Sequence, residues 1–99
     1  MERLTKNKRK ILTALHEAKP KPLYGLEIMR QASIKSGSLY PALRDLRNTK
    51  LVIAEWEIPG ADDRPPRRYY RLSKSGIKLA KALADGQVEG VGWRAFLPG

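Results

Sequence analysis

Three segments in the first half of the chain carry apolar residues at helical spacing. They cover residues 5–18, 25–32 and 36–49, where apolar positions recur every three or four residues. Each segment is therefore predicted to be a helix with one face turned to a core. The predicted inward positions are Ile11, Leu12, Leu15 and Ala18 in the first helix, Leu26, Met29 and Ala32 in the second, and Leu39, Ala42, Leu43 and Leu46 in the third.

Capping and turn residues set the ends of these helices. Thr5 is a favourable N-cap for the first helix, and the prolines at positions 20 and 22 stop it. Only residues 33–35 separate the second helix from the third, which is the spacing of a helix-turn-helix. Pro41 lies early in the third helix, where an interior proline would lose a hydrogen bond. We therefore expect a start near Ser38, or a tightened first turn if the helix begins at Ser36.

The second half of the chain changes to a strand pattern and then returns to a helix. Residues 51–57 and 67–72 are rich in β-branched and aromatic side chains, and a turn-rich stretch joins them. Their linker is too short for a parallel crossover, so an antiparallel hairpin is expected. Ser73 should cap a last helix over residues 74–85, with Gly86 at its end. The predicted inward positions of that helix are Ile77, Ala80 and Leu83.

This order of elements, α-α-α-β-β-α, predicts a mainly α fold with a small β-hairpin, a winged helix-turn-helix. The domain is expected to cover residues 1–85, followed by a short glycine-rich tail over residues 86–99 that we expect to be irregular. The only large apolar residues of the tail are Trp93, Phe96 and Leu97. They are interpreted as contacts with a second copy, as residues that fold back on the last helix, or as part of a disordered terminus.

Charge is the feature that points to a partner. Lysine and arginine number 20 against 10 acidic residues, which gives a net charge of +10. Such an excess in a small domain is typical of nucleic-acid binding. No apolar stretch approaches the ~20 residues of a membrane span, and no signal-peptide pattern follows the N-terminus. The absence of cysteine excludes disulfides and thiolate metal sites, so a cytoplasmic protein is expected.

The third helix carries the residues that are predicted to read DNA. In a helix-turn-helix the second helix enters the major groove, and its first turns meet base edges. Arginine pairs with guanine, hydroxyl groups bond bases or phosphates, and an apolar edge suits the thymine methyl group. The alternative is a solvated polar face on which Ser36 only caps the helix. The candidate contacts of the third helix and its preceding residue are Lys35, Ser36, Ser38, Tyr40, Pro41 and Arg44.

The hairpin supplies a second set of candidates, Arg64, Arg67 and Arg68. Arginines near a hairpin tip are suited to phosphates or a minor groove. Asp62 and Asp63 offer the alternative, in which they neutralise the arginines as weak surface ion pairs.

No catalytic constellation is visible in the sequence. His16 is the only histidine and has no set of ligand-type residues around it, so a metal site is not expected. Glu55 and Glu57 share one face of a strand and are interpreted as a solvent face rather than an acid–base pair. We expect neither enzymatic activity nor a cofactor.

Several blocks of the sequence resemble the PadR family of transcriptional regulators. They are LYGLEI at residues 23–28, SGSLYPALRDLRNTKLV at residues 36–52, and EWE followed by RPPRRYYRLSKSG in the hairpin and last helix. The resemblance covers most of the chain and implies a winged helix whose DNA contacts include Ser36, Ser38, Tyr40, Pro41, Arg67 and Arg68. Many members dimerise, and form an effector pocket, through a C-terminal helical region. Here only residues 86–99 follow the last predicted helix.

Taken together, the sequence predicts a regulator that binds double-stranded DNA as a homodimer, most simply as a repressor. A palindromic site would require two copies. No residue indicates a small-molecule effector, although one is compatible with this interpretation. Two alternatives share the same fold: an architectural or recombination accessory protein of a phage or mobile element, and an RNA-binding winged helix.

Overall fold

A computed structural model of the protein describes residues 3–58, 65–88 and 92–98. Its elements follow in the order α1 (Lys6–Ala18), β1 (Leu23–Tyr24), α2 (Gly25–Ala32), α3 (Ser36–Asn48), β2 (Val52–Trp56), β3 (Arg68–Leu72), α4 (Lys74–Ala84) and a 3₁₀ helix (Trp93–Phe96). The four predicted helices and the hairpin are confirmed, and so is the winged-helix fold. No helix in the described ranges is both long and apolar enough to cross a membrane.

The helix ends follow the predicted capping chemistry. The Thr5 hydroxyl accepts a hydrogen bond from the Lys8 amide at 3.3 Å, and the Ser73 hydroxyl accepts one from the Gly76 amide at 3.0 Å. Gly86 follows α4 with a φ of 74°, a left-handed conformation that glycine adopts without strain. Local chemistry therefore explains where α1 and α4 begin and where α4 ends.

Helix α3 begins at Ser36, as the apolar spacing predicted, and not near Ser38. Lys35 is the N-cap, and its carbonyl accepts the amide of Leu39 at 2.9 Å. The same carbonyl accepts the amide of Ser38 at 3.0 Å, which tightens the first turn as the second alternative expected. Pro41 consequently lies inside the helix and leaves the Gly37 carbonyl without its intrahelical donor.

The sheet contains one more strand than the sequence predicted. Its strand order is β1-β3-β2 with antiparallel pairing throughout, and the two-residue β1 places Leu23 opposite Tyr70. In the hairpin, Val52 lies opposite Leu72 and Trp56 opposite Arg68. Strand β3 is therefore the central strand, with α2 starting directly from one edge of the sheet.

One core lies between the helices and the inner face of the sheet. Its largest fully buried side chains are Trp93, Ile11, Leu12, Ile28, Leu39, Leu43, Leu46, Leu51 and Leu79. In α2 the predicted inner face was wrong at Leu26, which is 53% exposed, whereas Ile28 is fully buried. In α4, Leu79 takes the central position, and Ile77 and Leu83 are only partly buried.

The C-terminal segment packs against its own domain. Trp93 is 2% exposed within the core cluster, and Phe96 and Leu97 pack against that cluster. Residues 93–96 form a 3₁₀ helix that contacts α4. The prediction that the tail is irregular was therefore wrong for these residues. Of the three interpretations of these apolar residues, folding back on the last helix is the one that the structure supports.

Candidate nucleic-acid interface

The predicted contact residues of α3 stand on its solvent side. Leu39, Leu43 and Leu46 are buried against the core, which fixes the orientation of the helix. The predicted set is exposed throughout: Lys35, Ser36, Ser38, Tyr40, Pro41 and Arg44. Residues 33–35 form the turn that joins α2 to α3, and Ile34 within it is buried. The helix-turn-helix is thus a rigid unit that presents this set to solvent.

Tyr40 leans from α3 onto the first residue of α2. A Cβ atom placed on Gly25 would lie 2.7 Å from the Tyr40 hydroxyl oxygen, so the absence of a side chain at Gly25 leaves room for the ring. The ring is still 49% exposed. Tyr40 is therefore held by the neighbouring helix while one side of it remains available to a partner.

Arg44 is the basic residue of α3 that is most available to a base. Its side chain is 67% exposed, and its Nε lies 4.0 Å from the Asp45 carboxylate, the limit of an ion pair. Asp45 also pairs with Lys8 Nζ at 3.5 Å. Lys8 is only 16% exposed, so this lysine of α1 joins α1 to α3, whereas the Arg44 guanidinium projects into solvent.

Arg67 and Arg68 are adjacent in sequence but lie on opposite faces of the wing, because side chains alternate along a strand. Arg67 is on the outer face, where its Nη2 lies 3.6 Å from the Glu57 carboxylate. Its guanidinium carbon lies 4.0 Å from the centre of the Tyr24 ring, and the Tyr24 hydroxyl donates to Glu57 at 2.7 Å. Arg67 thus connects the wing to the start of α2. Arg64, the third predicted wing contact, lies outside the described residues.

Arg68 shares the inner face of the sheet with Tyr70. Its guanidinium carbon lies 5.3 Å from the centre of the Trp56 ring, directly across the hairpin. Its Nε is buried and has no hydrogen-bond partner among the described residues. The two wing arginines therefore have different surroundings. The sequence predicted equivalent roles for them because they are adjacent in the chain.

Tyr70, on the central strand β3, is a further neighbour of this site. It is 4% exposed, and burial raises the pKa of its phenol, while the charge of Arg68 opposes that rise. Tyr40 and Arg47 also act on its titration, so all four groups meet where α3 faces the sheet. Tyr70 stays protonated at neutral pH and can act there as a hydroxyl donor.

The two strand carboxylates predicted to mark a solvent face are engaged in ion pairs. Glu55 accepts a hydrogen bond from Arg71 Nε at 2.7 Å, and Glu57 pairs with Arg67. Within the ranges that the structure describes, no group of three or more histidine, aspartate or glutamate residues is placed to hold a metal ion.

Comparison with known proteins identifies the family. A model of the transcriptional regulator PadR-like family matches residues 11–82, which include the helix-turn-helix, the wing and most of α4. The chain belongs to this family. The predicted resemblance is thereby confirmed. A search of curated proteins found no match.

Solved structures resemble this PadR-like chain in fold. A PadR family transcription regulator from Clostridium difficile R20291 superposes with a TM-score of 0.71 at 22% identity, over 83% of this chain and 86% of that one. A PadR-like transcription factor from Bacteroides fragilis gives 0.65 at 30% identity, over 83% and 80%. The Staphylococcus aureus MepR–DNA complex gives 0.66 at 24% identity, over 83% and 63%. The winged-helix fold is common to all three.

Proposed function

We propose that this PadR-like chain binds double-stranded DNA and represses transcription, with α3 in the major groove and the wing on the backbone or in the minor groove. The observation that carries the proposal is the exposed side of α3, where Tyr40, Pro41 and Arg44 project from a helix whose other side is fully buried. The net charge of +10 supplies the attraction to a polyanion. MepR, one of the similar structures, is seen bound to DNA.

Each exposed side chain of α3 suits a different kind of contact. Arg44 is long and largely unneutralised, so it suits a bidentate pair with a guanine edge. Tyr40 and Pro41 form an apolar edge that suits a thymine methyl group. Lys35, Ser36 and Ser38 lie at the start of the helix and suit phosphates or nearby base edges. These roles separate residues that would read sequence from those that would hold the backbone.

We assign the wing arginines unequal weight. Arg68 has no carboxylate partner among the described residues, so its full charge is available to a phosphate. Arg67 is already paired with Glu57 and lies over Tyr24, so a phosphate would gain less from it. Arg64 is retained as a wing contact because of its place in the sequence.

A homodimer is part of the proposal. One winged helix of this size contacts few base pairs, and two copies give a regulator the specificity that it needs. Trp93 is buried in its own domain, so α1 and α4 are better candidates for the dimer interface than the tail. A two-fold assembly on a palindromic duplex, measured by light scattering, would support this arrangement; a monomer both free and on that duplex would exclude it.

Binding is expected to depend steeply on salt. If the chain neutralises about six phosphates, its affinity for duplex DNA should fall roughly 10³-fold between 50 and 200 mM salt, because each contact releases a counterion. The measurement is a fluorescence anisotropy titration at several salt concentrations, with a duplex selected from a random pool.

The same titration with competitors tests the class of nucleic acid. Selected duplex DNA should compete strongly, and an RNA duplex of the same length should compete weakly, because the A-form major groove does not admit α3. A salt slope near zero would contradict DNA binding, and preferential competition by RNA would favour the RNA-binding alternative.

Substitutions on α3 should separate base reading from backbone contact. Arg44→Ala or Tyr40→Ala is expected to weaken binding to the selected duplex by roughly 1–3 kcal/mol and binding to random DNA much less. Arg68→Ala is expected to weaken both similarly. Lys19→Ala, which removes an exposed lysine in the turn after α1, is the charge-matched control and should change little. Equal losses on both duplexes for Arg44 and Arg68 would show that α3 does not read bases.

A further inference from the structure

A small pocket lies between the start of α2, α3 and the wing. Its volume is about 240 Å³, and it is lined by Tyr24, Gly25, Leu26, Tyr40, Arg67, Arg68 and Tyr70. Among the residues that the structure describes, two arginines and three tyrosines line it, and no carboxylate does. The pocket is therefore rich in hydroxyl groups, its positive charge comes mainly from Arg68, and it adjoins the residues of α3 that are proposed to enter the groove.

Arg68 differs from its neighbours Arg67 and Arg71 in having no carboxylate partner among the described residues. Arg67 pairs with Glu57 and Arg71 pairs with Glu55, so their charges are partly neutralised. Within the described ranges, Arg68 has no carboxylate partner, and its buried Nε has no acceptor. A buried N–H without an acceptor costs free energy, which an anionic oxygen in the pocket would recover.

Trp56 holds Arg68 beside this pocket. The two residues are cross-strand partners on one face of the hairpin, so the register of β2 and β3 fixes the stack. Trp56 is 62% exposed, so its ring forms part of the hairpin surface beside Arg68. A stacked guanidinium keeps its N–H groups directed outward from the ring edge, because the cation–π contact uses only its face.

We propose that the pocket binds one phosphate of the DNA backbone, held by the Arg68 guanidinium, and that Trp56 is the positioning residue for Arg68. Phosphodiester oxygens accept charge-assisted hydrogen bonds from a guanidinium group. Gly25 adds no side chain at the rim, which leaves room there for the Tyr40 ring that forms one wall of the pocket. The inference rests on the proposed DNA binding and adds a site and a residue to it.

Removing Trp56 tests the site without changing any charge. Trp56→Ala should reduce affinity roughly 10-fold on selected and random duplexes alike, because a phosphate carries no sequence information. It should also reduce the magnitude of the salt slope by about 1, the signature of one lost phosphate contact. Trp56→Phe keeps a ring under Arg68 and should retain most of the affinity. Ile58→Ala, which removes an 87% exposed apolar residue of the same hairpin, should leave the slope unchanged.

A double substitution distinguishes positioning from an independent contact. In an Arg68→Ala background, Trp56→Ala should cost almost nothing further, whereas simple addition of the two losses would overturn the inference. The Nε–Hε resonance of Arg68, identified by its absence in Arg68→Lys, should shift when duplex is added, and an unchanged resonance would also overturn it. If the wild-type chain itself fails to bind duplex DNA, the proposed function is refuted. If the wild-type chain binds and Trp56→Ala binds equally well, only the inference about Trp56 and Arg68 is refuted.

Discussion

Gly76→Ala is expected to lower the free energy of unfolding by about 3 kcal/mol, the upper part of the range for overpacking a core. The added Cβ would overlap the Leu51 carbonyl oxygen and lie 3.1 Å from its carbon. Leu51 has little freedom to move, because its carbonyl accepts the Ser73 amide at 3.0 Å. The Ser73 hydroxyl also donates to the Lys50 carbonyl at 2.6 Å. The glycine thus allows α4 to begin against the junction of α3 and β2.

Thermal unfolding followed by circular dichroism measures this effect. A loss of about 3 kcal/mol in a domain of this size corresponds to a fall of roughly 12–24 °C in Tm. Gly37→Ala is the matched control, since no atom outside its own helix lies within 4 Å of the added Cβ. Alanine is the better helix former, so that variant should be unchanged or more stable by up to ~1 kcal/mol. Equal melting temperatures for the two variants would refute the packing argument.

Trp93→Ala is expected to destabilise the domain by about 3–5 kcal/mol, as truncation of a buried aromatic side chain does. Trp93 is 2% exposed and contributes the largest side chain of the core. The neighbouring Arg94 lies over the Trp93 ring at 4.7 Å and is itself exposed. Arg94→Ala is therefore the control and should cost less than about 1 kcal/mol. Chemical denaturation at two protein concentrations separates this effect from dimer dissociation. A Trp93→Ala variant as stable as the wild type would show that the C-terminal segment does not contribute to the core.

Removal of the C-terminal segment would therefore be a poor test of dimerisation. A truncation at Gly92 deletes Trp93 along with Phe96 and Leu97, so lost assembly would accompany lost folding. Charge reversal on exposed positions of α1 or α4, such as Arg9 or Lys81, leaves the core intact. Such variants address the interface itself.

Periodicity and capping predicted most of the fold because their causes are local. Thr5 and Ser73 cap the helices that the apolar spacing indicated, and the bounds of α2 were predicted without error. Strand β1 was missed because two residues cannot show alternation, and Leu23–Tyr24 becomes a strand only by pairing with β3. Leu26 was wrongly assigned to the core because α2 is only two turns long and has too few apolar positions to define its buried face. The pairing of β1 with β3 sets the orientation of α2 instead.

The residues of the site were predicted more easily than their surroundings. Exposure of Tyr40 and Arg44 follows from the buried face of α3, which the sequence shows. The separation of Arg67 from Arg68 follows from strand alternation, but their different partners depend on Glu57 and Trp56 across the hairpin. Those partners come together only through the register of β2 against β3. The long, turn-rich linker between the strands does not determine that register, so the partners could not be predicted from the sequence.

The pairing of β1 with β3 has a consequence for how the chain folds as it is synthesised. Residues 25–48 contain the whole helix-turn-helix and leave the ribosome before the hairpin does. Helix α2 nevertheless starts from β1, whose partner residues Tyr69 and Tyr70 are translated later. Leu23 and Tyr70 are far apart in sequence, so closing this contact is a late, high-contact-order step. A nascent chain that ends before β3 therefore lacks the strand that pairs with β1 at the start of the helix-turn-helix, and the domain gains that pairing only when its hairpin is complete.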